Sequence, residues 1–461
     1  MKKLAIIVTN LLLIAVLATM VVGCGGKETT TELPEPGARG SWSVVSPDGN
    51  IKAAVTMDGD GKLWYEVKRG DKTVVARSAL GMTIEEDDFD FVSVQNVGSR
   101  RVRGEYENIS GKSETVSYDC NETVLTLKAW KFYLDVTMRA YDDGYAFRYG
   151  IRAIDGGAGT VTVLSEDTQF ALPEGSTVWA QPYVSNTPSR GEFFSYEEAY
   201  DRRSSANLRE QKISMPMLYK MRGTDVYSLI TESELIGSGF YGSFLAEQDG
   251  MQGTGVLQTE HTPAGCADPD NVIAYPFESP WRVGITGTLK TVVESELVEK
   301  VYDDAEYWKP DDYDALTDEE KEIYTYDWVE PGVTAWNWLI YNGKKPQNDW
   351  ALQREYVNLA ASMGWKYTIL DGGWNSGLNE KTVTDFCAYA HSKGVKVVAW
   401  CNALTDFGNG KESILRAKLD TFARYGIDGI KIDFFDGQNA NNPKHQGEDI
   451  DTIKWYETIY R

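Results

Sequence analysis

The hydrophobic period of this chain changes once, and the change limits what each part can fold into. From Ser41 to about Lys300, apolar and polar residues alternate in short runs such as Ile51–Met57 and Leu63–Lys68. The runs are broken by Ser46–Asn50, Asp58–Gly61 and Arg69–Lys72, all rich in Asp, Asn or Gly. Period two between such turns is the pattern of strands joined by hairpins. Further strands are expected at Thr115–Tyr118, Thr123–Ala129, Phe132–Tyr141, Tyr145–Ile154 and Thr160–Phe170, with one helical stretch at Tyr196–Arg209. Many short strands of this kind predict a large antiparallel sandwich.

After about Val301 the pattern differs. Tyr302–Pro331 is acidic, with a helix expected over Asp318–Tyr324. Strands are then expected at Gly332–Leu339, Tyr367–Leu370, Val395–Asn402 and Gly429–Phe434, alternating with helices at Asp349–Met363, Val383–Lys393, Glu412–Tyr425 and Asp449–Tyr460. Successive βα units predict a parallel sheet. Each strand ends in polar or aromatic groups: Trp336 and Trp338, Asp371 and Trp374, Trp400 and Asn402, Lys431 and Asp433. Functional groups at the C-terminal ends of parallel strands are the habit of a TIM barrel. A closed barrel needs eight units and about 250 residues, so the segment 301–461 reads as the first half of a (β/α)8 barrel, stopping inside a helix at Arg461. A doubly wound sheet fits less well, because no Gly-rich phosphate loop follows the first strand.

The stretch Gly426-Ile-Asp-Gly-Ile-Lys-Ile-Asp-Phe-Phe-Asp436 carries the strongest chemical signal. Alternation puts Ile430, Ile432 and Phe434 on one face of a strand and Lys431 with Asp433 on the other. An ammonium and a carboxylate near a buried strand end are costly unless paired or used. A structural ion pair and a catalytic pair are both open readings.

Composition narrows the setting. Lys2 and Lys3 precede an apolar run to Val22, and Val21-Val22-Gly23-Cys24 matches a bacterial lipoprotein box. Residues 1–23 thus read as a signal peptide and Cys24 as the lipidated N-terminus of an envelope protein, periplasmic or surface-exposed. A plain signal peptide or an uncleaved anchor is the alternative. Residues 24–40, rich in Thr, Glu, Pro and Gly, read as a tether. The net charge of −23 argues against nucleic acid and against adhesion to anionic lipid, leaving the lipid at Cys24 as the membrane contact. The 14 Trp and 26 Tyr suit sugar stacking, although most such rings pack cores. Three histidines (261, 391, 445) and cysteines without metal-like spacing (120, 266, 387, 401) argue against zinc or thiol chemistry.

Taken in order, several short motifs resemble glycoside hydrolase family 97. They are Leu80-Gly-Met, Ser195-Tyr-Glu-Glu-Ala-Tyr200, Met215-Pro-Met-Leu218, Ser279-Pro-Trp-Arg282, Met363-Gly-Trp-Lys-Tyr367 with Leu370-Asp-Gly-Gly-Trp374, and Gly429-Ile-Lys-Ile-Asp433. The resemblance implies an N-terminal β-supersandwich (41–300) joined to a catalytic barrel, and hydrolysis of α-linked oligosaccharides. The family's retaining members, similar to α-galactosidases, carry an aspartate nucleophile on the fourth strand, where this chain has Asp433. Its inverting members lack that carboxylate and act as α-glucosidases.

The resemblance therefore favours a retaining α-galactosidase with Asp433 as nucleophile and Lys431 as electrostatic support. Asp436 is a rival of opposite parity. Asp371 is expected to bind sugar hydroxyls or to serve as a turn residue. Trp336, Trp374 and Trp400 are expected to stack on the sugar or to pack the barrel. The family binds calcium, and Glu197, with Glu198 as the close alternative, is the implied sandwich ligand. Other calcium ligands and the general acid are expected beyond Arg461. A glycan-binding surface lipoprotein without catalysis, or an inert fragment, is the competing reading.

Overall fold

In the computed structural model, the described residues run from 40 to 460, apart from 88, 90, 91, 110, 183–199, 209–211, 249, 262–270, 303–312, 326–328, 342, 343, 345, 409, 410 and 435–449. Cys24, Glu197, Glu198, Cys266, Asp436, the signal segment and residues 24–39 of the tether lie outside them.

Between Ser41 and Gly287 every described strand pairing is antiparallel, as the period-two pattern predicts. Strand Ile51–Met57 shows why: Ile51, Ala53, Val55 and Met57 are buried, and the residues between them face outward. Phe132–Tyr141 and Gly144–Ala153 are buried on both faces along much of their length, which marks them as central strands. The two strands expected at Thr115–Tyr118 and Thr123–Ala129 are one, Thr115–Lys128. The polar Glu122 that interrupts the apolar pattern is itself buried, held by Arg139 at 2.9 Å and Arg100 at 2.5 Å. Thr160–Phe170 instead divides into Gly159–Glu166 and Gln169–Ala171. The described end of the expected helix Tyr196–Arg209 is a strand, Asp201–Ser204, paired with Thr177–Ala180.

The Ser279-Pro-Trp-Arg282 motif is buried within the sandwich. Arg282 is fully buried, donating from Nε and Nη2 to Glu166 at 2.8 and 2.5 Å and from Nη1 to Glu232 at 2.6 Å. Trp281 stacks under Arg139 and Arg148, 4.6 and 4.4 Å from its ring centroid.

The barrel segment is a parallel sheet in sequential order, β1 (Thr334–Ala335), β2 (Tyr367–Leu370), β3 (Lys396–Asn402) and β4 (Gly429–Asp433). Helices α1 (Trp350–Met363), α2 (Glu380–Ser392), α3 (Glu412–Tyr425) and α4 (Ile450–Tyr460) follow the strands in turn. This arrangement agrees with part of a TIM barrel. Asp349 caps α1 by accepting from Leu352 N. Gly364 and Gly426 close α1 and α3 in the left-handed conformation, which only glycine adopts freely. The first strand is shorter than expected, because residues after Asn337 turn into a helix, Trp338–Tyr341. Helix α4 joins the two halves of the molecule. Ile450 is buried in the sandwich core, Trp455 in the barrel core, and Glu457 accepts from Gly237 N at 2.7 Å.

Candidate active site

The parity expected of β4 is present. Ile430 and Ile432 pack against the barrel core, while Lys431 and Asp433 face the other way. The strand ends at Asp433, one residue earlier than expected. Phe434 is left-handed (φ 61°) and leaves the sheet, its ring edge-on to Trp400 at 5.8 Å. A positive φ is uncommon for a bulky residue and marks a site where the backbone is held by its surroundings. Here the hold is local: Phe434 N donates to Asp433 Oδ1 at 3.0 Å, and Asp433 O accepts from Ala403 N at 2.8 Å.

Register gathers the other polar ends. Trp400 pairs with Lys431 and Leu370 with Ala399, so Asp371, Trp400 and Lys431 share one level of the sheet, with Asp433 just above. Lys431 Nζ lies 3.2 Å from Asp371 Oδ2 and 3.8 Å from Asp433 Oδ2. The ammonium thus bridges two carboxylates and leans toward Asp371.

Each carboxylate is gripped in the same way. Asp371 accepts from Gly372 N at 2.6 Å and Trp336 Nε1 at 2.6 Å. Asp433 accepts from Phe434 N and from Trp400 Nε1 at 3.1 Å. The difference is access. Asp371 is 4% exposed, whereas the Asp433 side chain is 40% exposed and the Lys431 side chain 34%. The arrangement supplies one immobilised buried carboxylate, one accessible carboxylate aimed by an indole, and a cation between them.

Asp371, Lys431, Asp433, Trp336 and Trp400 therefore come together. The two indoles donate to the carboxylates, a role the sequence reading did not assign them. The Trp336 ring also lies 4.7 Å from Lys431 Nζ. Trp374 does not join the group. It is 1% exposed, packs against Phe422 and donates to Trp400 O at 2.8 Å, the packing role of the two left open.

Sequence reasoning also missed a buried amide cluster, Asn337, Gln347 and Gln353, that touches Asp371 N. A signal existed: Gln353 has helical spacing to Val357 and Ala360, so it falls on the buried face of α1.

Cys120, Cys387 and Cys401 are separate buried thiols, and burial pushes Cys387 up to about 12, far from a reactive thiolate. Among the described residues no group of three or more His, Cys, Asp or Glu is arranged to hold a metal. Glu197 lies outside those residues, so no chemistry here is routed through calcium.

Comparison with known proteins gives the family of the chain. The family model for the glycosyl-hydrolase 97 N-terminal domain matches residues 44–303, and that for glycoside hydrolase 97 matches 335–461. A probable retaining alpha-galactosidase of Streptomyces bingchenggensis is 27% identical over 437 residues, covering 91% of this chain and 60% of its own length. The retaining alpha-galactosidase of Bacteroides thetaiotaomicron is 25% identical over 455 residues, covering 87% of this chain and 60% of its own. The chain thus spans about 60% of the length of these curated relatives.

Among solved structures, a beta-arabinopyranosidase superposes with a TM-score of 0.75 at 23% identity, covering 91% of this chain and 64% of its own. A family 97 enzyme from Pseudoalteromonas sp. strain K8 in complex with panose gives 0.68 at 19%, covering 90% and 63%. These two likenesses concern the fold. The sandwich and the parallel segment are both matched by that family's own models, and the chain belongs to glycoside hydrolase family 97.

Proposed function

We propose that this chain carries the nucleophile side of a retaining α-galactosidase. The observation that carries the reading is Asp433: an accessible carboxylate at the end of a fourth parallel strand, aimed by Trp400 Nε1 and flanked by Lys431. The two curated relatives named as retaining alpha-galactosidases support the choice of galactoside.

In this reading an Asp433 oxygen attacks the anomeric carbon as the bond to the leaving oxygen breaks. A second carboxyl group, about 5–5.5 Å away in retaining enzymes, protonates that oxygen and then activates water to release the sugar. We assign the acid outside the described carboxylates, since Asp371 accepts from Trp336 Nε1, Gly372 N and Lys431 Nζ, the bonding of an acceptor and not of a proton donor. Lys431, 3.8 Å from Asp433, gives the nucleophile electrostatic support, and Asp371 with Lys431 receives sugar hydroxyls. Glu197 is proposed as a calcium ligand, and Cys24 as the lipid anchor of an exported protein. No helix among the described residues is long and apolar enough to cross a membrane.

The test is Asp433→Gly in the full-length protein with an aryl α-galactoside. Turnover should fall by several orders of magnitude, with partial rescue by azide and formation of β-galactosyl azide. Near-normal turnover would reject Asp433 as nucleophile and leave an inverting mechanism standing.

A further inference from the structure

Three buried amides form a closed cycle beneath the candidate site. Asn337 Nδ2 donates to Gln353 Oε1 at 3.2 Å. Gln353 Nε2 donates to Gln347 Oε1 at 3.2 Å and to Gln347 O at 2.9 Å. Gln347 Nε2 donates to Asn337 Oδ1 at 2.9 Å. Each side chain gives one bond to the cycle and receives one, so reversing any amide would set donor against donor and acceptor against acceptor. All three residues are nearly inaccessible to water. A network like this is favourable only when complete, and the bonds to Gln347 O and from Asp371 N–H fix the direction in which the cycle runs.

The cycle faces Asp371 from two sides. Gln347 Oε1 accepts the Asp371 backbone N–H at 3.2 Å. Asn337 directly follows Trp336, whose indole donates to Asp371 Oδ2 at 2.6 Å. The cycle therefore fixes the residue that bears the carboxylate and the neighbour of the residue that orients it. Lys431 joins the same oxygen at 3.2 Å. An apolar trio would fill this space without the desolvation cost of three amides. It could not accept the Asp371 N–H.

We propose that the Asn337–Gln347–Gln353 cycle is a positioning device for Asp371, setting how tightly sugar hydroxyls are held and leaving bond cleavage at Asp433 largely untouched. The proposal rests on the reading of Asp371 as a sugar-binding carboxylate. Loosening the cycle weakens ground state and transition state together, which appears in KM and not in kcat.

The experiment is kinetic, on the full-length protein with p-nitrophenyl α-galactoside. Gln353→Met and Gln347→Met should each raise KM by about tenfold or more, the scale of one displaced charged hydrogen bond, with kcat within about threefold of the parent. Unchanged KM in a folded variant, or a loss confined to kcat, overturns the proposal. Amide hydrogen exchange of the unmutated protein gives a second readout that needs neither folded variants nor turnover. The Asp371 N–H should exchange only with unfolding of the barrel segment, and fast exchange from the folded protein also overturns it. An unmutated protein that turns over no α-galactoside, yet protects this N–H, would retain the cycle and reject the galactosidase reading.

Discussion

Arg282→Met should destabilise the sandwich strongly at neutral pH. The guanidinium is inaccessible to water and makes three charge-assisted bonds of 2.5–2.8 Å, two to Glu166 and one to Glu232. Burial pushes the Glu166 carboxyl up, but the Arg282 charge and hydrogen bonds hold it below the usual carboxylate range. Glu232, also buried, remains raised, with Arg282 and Ser243 as its opposing partners. Removing the cation leaves Glu166 buried and unpaired. In the parent, burial and the neighbouring Arg282 charge push His261 down to about 3, so Arg282 is the cation that faces Glu166 there.

Breaking a buried pair from one side costs about 3–5 kcal/mol. With a urea m-value of about 3 kcal/mol/M, the sandwich midpoint should drop by roughly 1–1.7 M. Adding Glu166→Leu should recover most of the loss, since a buried pair replaced by apolar groups is often nearly neutral.

The pH dependence follows from the signs of the shifts. In the parent, Glu166 contributes stability above its unfolded pKa and loses it as pH falls through the depressed folded value. In the variant the folded value is raised, so the penalty at pH 7 disappears as pH falls below the unfolded value. The gap between parent and variant should therefore shrink from pH 7 to pH 4. Urea unfolding followed by far-UV circular dichroism reads both effects. A loss under about 1 kcal/mol at pH 7, or a gap that widens toward pH 4, would refute the assignment of this pair as the electrostatic centre of the sandwich.

Three further outcomes can be checked. Lys431→Met removes charged hydrogen-bond partners worth about 1.5–3 kcal/mol and should lower kcat/KM roughly 10–100-fold in steady-state assays, and Lys431→Arg should not restore it because the fork does not reproduce a point charge. Cys24→Ser should release the protein from membranes or leave it unprocessed on fractionation, and normal membrane retention would reject the lipid anchor. Glu197→Gln should weaken calcium binding in isothermal titration of the full-length protein, and unaltered affinity would remove Glu197 from the metal site.

Much of the barrel segment was legible because its signals are local. The expected bounds of Tyr367–Leu370 and Glu412–Tyr425 match β2 and α3, and the parity of Lys431 and Asp433 follows from period two alone. The errors arose where tertiary partners override pattern. The gap expected between Tyr118 and Thr123 is spanned by one strand, in which the polar Glu122 is held by Arg139 and Arg100. Asn337 ends β1 early, its carbonyl accepting from Tyr341 N as the chain turns into a helix, and its side chain is spoken for by the amide cycle. The indoles of Trp336 and Trp400 were visible as strand-end aromatics, but their donation to Asp371 and Asp433 depends on register between strands about 30 residues or more apart. Phe434 follows alternation in sequence and departs from it in structure, because Asp433 Oδ1 captures its N–H.

The most direct test of the account is the anomeric form of the first sugar released. Proton NMR of the full-length protein acting on an aryl α-galactoside should show α-galactose first, with the β-anomer appearing only as mutarotation proceeds. Two displacements, the first by Asp433, require that order. Initial release of the β-anomer would mean a single displacement by water and would contradict the assignment of Asp433 as nucleophile.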